Sequence, residues 1–115
     1  MTRVTIYHNP QCSKSRKTLT LLKNNNIEPE IIEYLKNNLD ADAIMAIALK
    51  LGVSVRDIIR TNEAEYETQR LNEVSDYSLA AAIAKNPILM QRPIVVRGDN
   101  ARIGRPPEIV LELLD

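Results

Sequence analysis

The chain has 115 residues, of which 44% are hydrophobic, 15 are basic and 15 are acidic. This length lies within the range of one domain, and we expect residues 1–115 to form a single domain. Because the formal net charge is zero, no global field would draw the chain to nucleic acid or to an anionic membrane. One cysteine and one histidine exclude a zinc site with four ligands of those types, so we expect no metal.

The first predicted element is a short strand over residues 3–7, formed by a β-branched run. This strand begins almost at the first residue and leaves no room for a signal peptide. No apolar run approaches the ~20 residues that a helix needs to span a bilayer. We therefore expect a cytoplasmic protein that does not enter a membrane.

The single cysteine, Cys12, lies where this strand is followed by a polar stretch with helical spacing. At the start of a helix, free backbone N–H groups and the helix dipole favour a negative charge. A free cysteine titrates near ~8.5, and helix N-termini and neighbouring cations lower this to roughly 3.5–7.5. Arg16, one turn further on, would support the thiolate. Cys12 is therefore a candidate nucleophile, although a lone cysteine is more often a buried packing residue.

The middle of the chain is predicted to be helical. The helix after Cys12 leads to a second strand over residues 30–34, and a parallel crossover of this length is normally right-handed. From residue 38 to about residue 86 the pattern is helical throughout, with an apolar stripe at Ile44, Ile47, Ala48 and Leu51. Because this block separates strands, we interpret it as a helical insertion.

The last part returns to strands. Residues 93–97 and 101–103 read as a hairpin, and a proline-led helix closes the chain. The order β-α-β, helices, β-β-α predicts an α/β fold of the thioredoxin-like (glutaredoxin-like) type. Such a fold would have a mixed four-stranded sheet with the helical insertion between strands 2 and 3.

Three blocks of sequence carry a resemblance to a known family. They are HNPQCSKSR at residues 8–16, RPIVV at residues 92–96 and GRPPE at residues 104–108. The blocks resemble the signatures of the glutaredoxin-coupled arsenate reductase (ArsC) family, stand in the same order, and have Arg60 between them. Together they cover the chain from end to end, which makes the match more specific than a lone Cys-x-x-Ser. The resemblance implies an oxidoreductase that reduces arsenate to arsenite.

The resemblance also implies roles for individual residues. The Cys12 thiolate would attack arsenate, and His8 and Ser15 match positions that favour this thiolate. Three guanidinium groups, which suit a tetrahedral oxyanion because each fork binds two oxygens, match the arginines that hold the substrate: Arg60, Arg92 and Arg105. Pro93 matches the cis-proline of thioredoxin-like folds, which brings backbone close to the active sulfur, and Arg16 has a supporting role.

The count of cysteines limits the source of electrons. Reduction of As(V) to As(III) takes two electrons, and a chain with one cysteine cannot supply them by forming an internal disulfide. Thiols must therefore come from outside, in agreement with the family's use of glutathione as co-substrate and glutaredoxin as partner, with no bound cofactor. Arsenate reductases that resemble low-molecular-weight phosphatases carry a Cys-x5-Arg loop, whereas the sixth residue after Cys12 here is Thr18.

Two other functions compete with this interpretation. The first is a non-enzymatic module like the Spx-type regulators, which share the fold and bind RNA polymerase. Members that sense redox state carry Cys-x-x-Cys, whereas position 15 here is serine. The second is a monothiol glutaredoxin-like enzyme that acts on glutathione mixed disulfides. Such an enzyme would need no oxyanion and would tolerate the loss of Arg92 and Arg105, which would then be ordinary surface cations.

Overall fold

A computed structural model describes residues 3–37, 39–60, 63, 64, 66, 70, 71 and 74–114. The chain divides into two compact units, one formed by Met1–Asn37 with Arg92–Asp115 and the other by Asn38–Gln91. The first unit contains a β-sheet and the second is mainly helical. In the part of the chain that is described, no helix is both long and apolar enough to cross a membrane.

The first unit is built on a mixed four-stranded sheet. Its strands are β1 (Val4–Tyr7), β2 (Glu30–Ile32), β3 (Ile94–Arg97) and β4 (Asn100–Ile103). The strand order is β2-β1-β3-β4. β1 pairs in parallel with β2 and antiparallel with β3, which in turn pairs antiparallel with β4. The β-branched residues of these segments explain the choice of strand, since they pack well on a pleated surface.

Helix α1 (Ser13–Asn24) connects the two parallel strands. It begins after Cys12, whose backbone is extended, and it buries a face formed by Ser15, Thr18 and Leu22. After the helix, Asn26 has a φ of 66°, a left-handed conformation that asparagine tolerates better than most residues. The chain can therefore turn sharply back into β2.

The core of this unit lies between the sheet, α1 and a closing 3₁₀ helix (Pro107–Leu113). The cluster consists of buried aliphatic side chains, namely Val4, Ile6, Leu22, Val95, Val110 and Leu113. Each such side chain contributes about 1.5–3 kcal/mol when it is removed from water. This packing fixes α1, and with it the position of Cys12, relative to β1 and β3.

The helical unit contains α2 (Ala41–Leu51), α3 (Asp76–Lys85) and two 3₁₀ helices, Val55–Ile58 and Pro87–Leu89. α2 packs on α3 through the predicted apolar stripe. Its start is capped by Asp40, whose Oδ1 accepts a hydrogen bond of 2.8 Å from the Ala43 N–H. Its end is formed by Gly52 with a φ of 75°, a conformation that glycine adopts without strain.

The predicted fold class is confirmed, with its mixed four-stranded sheet and its helical insertion between the second and third strands. Two elements differ in detail. β2 ends at Ile32, because the Glu33 carbonyl accepts hydrogen bonds from the N–H groups of Lys36 and Asn37 and so closes a turn. Tyr34 lies in that turn with its side chain buried. The closing helix is a 3₁₀ helix that follows a cis proline at position 106.

Candidate active site

Cys12 lies beyond the carboxyl end of β1 and is the residue that precedes the first turn of α1. Its own N–H donates to the Asn9 carbonyl at 3.0 Å, and its carbonyl accepts from the Arg16 N–H at 3.0 Å. The N–H groups of the first helical turn have no partner within the helix. Those of Lys14 and Ser15 donate to the Cys12 sulfur instead. Its side chain is half-buried.

The pKa of Cys12 is lower than that of an ordinary cysteine. Burial alone would raise the pKa, because a buried thiolate loses water. The backbone N–H groups of Ser15 and Lys14 lower it, and so does the Arg92 guanidinium through its charge and a hydrogen bond. These stabilising contacts outweigh the effect of burial, so the sulfur is a thiolate over a wider pH range than a free thiol.

His8 and Ser15 form a buried pair beside Cys12. The His8 Nδ1 and the Ser15 Oγ share a hydrogen bond of 2.6 Å, and the Ser15 Oγ also accepts from the Asn9 N–H at 3.0 Å. Burial lowers the pKa of His8, and Arg16 lowers it as well, although Glu33 opposes the shift. His8 is therefore neutral at pH 7. Its contact to the sulfur is indirect, because it bonds the Ser15 side chain and the Ser15 N–H donates to Cys12.

Asn9 is a residue of this loop that the sequence reasoning missed. Its backbone N–H binds Ser15, and its side-chain Oδ1 accepts from the Gln11 N–H at 3.0 Å. The Asn-Pro pair at positions 9 and 10 was the available signal, since asparagine often bonds the backbone two residues on and so forms a turn. The loop before Cys12 is thus held by its own hydrogen bonds.

Two of the predicted arginines lie at the sulfur. The Arg105 Nη2 is 4.0 Å from the Cys12 Sγ, and the Arg105 Nε donates to the Arg92 carbonyl at 2.7 Å. Among the described residues, the buried Nε and Nη1 of Arg92 have no hydrogen-bond partner. Two guanidinium nitrogens of Arg92 thus have no acceptor in the described part of the chain, at a place where positive charge is concentrated.

Pro93 and Gly104 bring the hairpin close to α1. The Arg92–Pro93 peptide bond is cis, and the Pro93 carbonyl accepts from the Gly104 N–H at 2.9 Å. A Cβ atom at Gly104 would lie 2.7 Å from the Thr18 Oγ1 and 2.9 Å from the Pro93 Cγ. The absence of a side chain at Gly104 therefore allows the approach. Gly104 lies in a recognised block of sequence, but no local pattern identified this role.

Tyr34 is a further residue that sequence reasoning missed. Its side chain is buried, and within the described part of the chain its hydroxyl has no hydrogen-bond partner. Burial raises the pKa of Tyr34 to about 12, with Arg92 and Arg105 acting to lower it and Cys12 acting to raise it. The Tyr34 hydroxyl is therefore within the electrostatic range of the sulfur and of both arginines. The sequence places Tyr34 at the end of a predicted strand, and that position does not indicate an interaction with Cys12 or the arginines.

The two remaining predicted arginines, Arg16 and Arg60, each have partners within their own unit. The exposed Arg16 donates from Nη1 to the Pro10 carbonyl at 2.8 Å. Arg60 belongs to the helical unit, where its N–H donates to the Leu89 carbonyl at 2.6 Å and its guanidinium forms an ion pair of 3.1 Å with Glu63. The described residues contain no group of three or more His, Cys, Asp or Glu that could hold a metal ion.

The chemistry of this cluster follows from its parts. A thiolate is surrounded by backbone N–H donors and by two guanidinium groups, one of which has N–H groups that no described residue accepts. Such surroundings suit a substrate that is both electrophilic, so that sulfur attacks it, and anionic, so that the donors bind it.

Comparisons with known proteins agree with this geometry. A family model described as the ArsC family matches residues 7–113. "Arsenate reductase" of Haemophilus influenzae is 47% identical over 114 residues, which are 96% of this chain and 98% of that protein. "Uncharacterized protein YfgD" of Escherichia coli K12 is 48% identical over 115 residues, 97% of each chain. The solved structure of "Arsenate reductase from Vibrio cholerae" superposes with a TM-score of 0.95 at 46% identity and covers 98% of both chains.

Proposed function

The chain belongs to the ArsC family, and on that premise we propose that it is an arsenate reductase, an oxidoreductase that converts arsenate to arsenite. The relatives from Haemophilus influenzae and Vibrio cholerae carry the name arsenate reductase. Their similarity extends over nearly the whole of this chain. The proposal therefore rests on similarity along the whole of this chain and not on one shared motif.

The observation that carries the proposal is the pair of buried nitrogens on Arg92, Nε and Nη1, that have no hydrogen-bond partner among the described residues. A buried polar group without a partner costs about 1–3 kcal/mol, and more when it is charged. These two nitrogens point to different edges of the guanidinium group and do not form one fork, but an anionic oxygen is a strong acceptor for either N–H. An oxyanion bound there would reduce that cost, and the neighbouring Cys12 sulfur, which Arg92 also contacts, would be in position to attack its central atom.

In the proposed reaction the Cys12 thiolate forms a bond to arsenic, and one arsenate oxygen leaves as water after it has taken up protons. This step changes no oxidation state. Reduction of As(V) to As(III) then takes two electrons from two external thiols, which end as one disulfide. We assign the first thiol to glutathione and the second to glutaredoxin, because the chain has no second cysteine. The thiolate is regenerated when arsenite leaves.

The other site residues take roles that fit their contacts. Arg105 holds the oxyanion together with Arg92, and its bond to the Arg92 carbonyl fixes its orientation. His8 and Ser15 are positioning residues, because their mutual bond holds the turn whose N–H groups face the sulfur. For Arg60 the role in oxyanion binding rests on the family resemblance alone.

Arg16 and Pro93 have supporting roles. Arg16 ties α1 to the loop before Cys12. Pro93 lies between Arg92 and the β3 strand and shapes the wall of the site.

We place the protein in the cytoplasm, because the proposed reaction needs reduced thiols and the cytoplasm keeps thiols reduced. The reaction uses glutathione as co-substrate and no bound cofactor.

The test is arsenate-dependent NADPH oxidation in the presence of glutathione, glutaredoxin and glutathione reductase. We expect turnover by the native chain, none by Cys12→Ser, and a loss of roughly 100-fold or more in kcat/KM for Arg92→Ala, the effect of removing one donor to a developing anion. Arg3→Ala removes the same charge at an exposed position outside the site and serves as the matched control.

Other outcomes would identify a competing function. If the native chain gave no arsenate turnover but reduced a glutathione mixed disulfide, and Arg92→Ala left that rate unchanged, the monothiol glutaredoxin-like function would replace the proposal. If neither reaction occurred and RNA polymerase subunits were retained on the immobilised chain, the Spx-like regulatory function would replace it.

A further inference from the structure

The Tyr34 hydroxyl is, like the Arg92 nitrogens, a buried polar group that has no hydrogen-bond partner among the described residues. The Tyr34 side chain is 1% exposed, and its hydroxyl finds no acceptor or donor among the described residues. Buried tyrosine hydroxyls usually have a partner, since an unpaired hydroxyl costs about 1–3 kcal/mol. Packing of the ring alone would be served equally well by phenylalanine.

The topology of the sheet places Tyr34 and Cys12 beyond the same edge. β1 and β2 run in parallel, with Tyr7 opposite Ile32, and the His8 N–H donates to the Ile32 carbonyl at 2.8 Å. Both strands therefore end at the same edge of the sheet. One continues into the Cys12 loop and the other into the turn that contains Tyr34. In open α/β sheets this edge is where ligands bind.

The unpaired groups of Tyr34 and Arg92 also share electrostatic surroundings. The hydroxyl of Tyr34 interacts with the charges of Arg92, Cys12 and Arg105. Within the described residues, the only buried side-chain nitrogen or oxygen atoms without a hydrogen-bond partner are this hydroxyl and the Nε and Nη1 of Arg92. These three atoms, which belong to two side chains that interact electrostatically with Cys12, are the groups that a polar ligand at this sulfur would satisfy.

We propose that Tyr34 is a substrate-binding residue whose hydroxyl donates a hydrogen bond to an oxygen of the oxyanion that Cys12 attacks. The inference rests on the proposed function, because the ligand it assumes is a tetrahedral oxyanion. The donor is neutral and remains protonated throughout the working pH range. Tyr34 thus adds a hydrogen bond without adding charge to a site that already has Arg92 and Arg105.

This role predicts that Tyr34→Phe has opposite effects on stability and on binding. The ring is retained, and an unpaired buried hydroxyl is removed, so the melting temperature of the free protein should stay equal or rise. One hydrogen bond to a charged ligand is lost, so the dissociation constant for arsenate should rise at least tenfold. A tyrosine that served only packing or folding would not produce this combination.

The experiment measures arsenate binding by titration calorimetry in the Cys12→Ser chain, where no reaction follows, and thermal unfolding without arsenate. Tyr34→Phe is compared in that background with Tyr77→Phe, which removes the same hydroxyl from a tyrosine that is 57% exposed. We expect Tyr77→Phe to change neither quantity. Tyr34→Phe should weaken binding at least tenfold at an unchanged or raised melting temperature.

The outcomes separate this inference from the proposed function. Equal arsenate affinity in the Tyr34→Phe and parent chains would overturn the role of Tyr34 and leave the reductase proposal standing. A lowered melting temperature together with unchanged affinity would identify the hydroxyl as structural. If arsenate binding depends on Tyr34 but the native chain shows no arsenate turnover, the role of Tyr34 in an oxyanion site stands and the reductase proposal is overturned. Absence of any arsenate binding would overturn both.

Discussion

At the residue scale, the chemistry of Cys12 depends on a competition between burial and hydrogen bonding. Burial is the largest single influence on its pKa and acts against the thiolate, yet the net pKa is lowered. The compensation comes from two backbone N–H groups and from Arg92. The two N–H groups belong to the backbone at the start of the helix, so a change of side chain leaves them in place. The Arg92 guanidinium is itself a side chain and can be removed by substitution.

We therefore expect Arg92→Ala to raise the pKa of Cys12. A lowered pKa keeps the sulfur ionised, and hence reactive, at pH values below the ordinary value of about 8.5. The rate of alkylation by iodoacetamide, measured against pH, should have its midpoint below that value in the native chain and at a higher pH in Arg92→Ala. The exposed control Arg3→Ala should leave the midpoint in place. Coincident midpoints for native chain and Arg92→Ala would show that the helix start alone sets the pKa.

Whether a site residue could be predicted depends on whether its role follows from neighbouring residues or from residues distant in sequence. The strand-to-helix junction identified Cys12 as a candidate because the cause of its reactivity is local. Arg92 and Arg105 could not be selected from the other arginines without the family resemblance, since nothing in their immediate sequence shows that they meet at the sulfur. Asn9 was missed although its bond to the Gln11 N–H is local and the Asn-Pro pair signals such a turn. Tyr34 was missed because the surroundings of its hydroxyl depend on tertiary packing.

At the element scale, the close approach of the hairpin to α1 is controlled by Gly104. The glycine lies just after β4, bonds Pro93 at the start of β3, and has Thr18 of α1 against its Cα. Thr18 is itself held, because its Oγ1 donates to the Lys14 carbonyl at 2.8 Å. Neither neighbour can move away freely.

Gly104→Ala should consequently destabilise the protein by about 1–3 kcal/mol, the usual cost of overpacking. Denaturant unfolding measures this free energy. Because the nearest atom is the Thr18 Oγ1, Gly104→Ala combined with Thr18→Ala should lose less stability than the two single changes added together. Gly52→Ala is the control: it is strained by its positive φ but has nothing within 4 Å of the added Cβ, so its cost should simply add to that of Thr18→Ala. Strict additivity for the Gly104 pair would contradict the predicted contact.

The elements themselves were largely predictable, because their cause is periodicity. The apolar stripe of α2, the glycine at its end and the β-branched runs of the strands were all visible in the sequence. The end of β2 was not, because residues that favour strands continue to Tyr34, while the backbone bonds of Glu33 close a turn. The closing segment reads as a helix from its apolar spacing, which does not distinguish 3₁₀ from α geometry over seven residues.

At the scale of the whole molecule, the count of cysteines sets a limit that no local feature can change. One sulfur can bind arsenic, but it cannot deliver two electrons within a single chain. Two chains could do so only by joining through their Cys12 residues. The half-buried position of the sulfur, beside two guanidinium groups, is unfavourable for such a link.

We therefore predict that the protein forms no arsenite when it is mixed with arsenate alone, even at equal concentrations. Addition of glutathione with glutaredoxin should give many equivalents of arsenite per chain. Quenched samples separated by chromatography and analysed for arsenic measure both quantities, and a non-reducing gel checks for linked chains. Half an equivalent of arsenite together with a disulfide-linked dimer would show that the chains supply the electrons themselves.

The separation of Cys12 and Arg105 by 93 positions has a consequence for the time at which the site becomes active. During synthesis the cysteine emerges early, and a helix of about 12 residues is marginal on its own, so neither its N–H groups nor any later arginine yet acts on the sulfur. The Arg105 guanidinium is synthesised 93 residues after the cysteine. We therefore expect the emerging segment to carry an ordinary thiol, and the reactive thiolate to arise only once the site has folded.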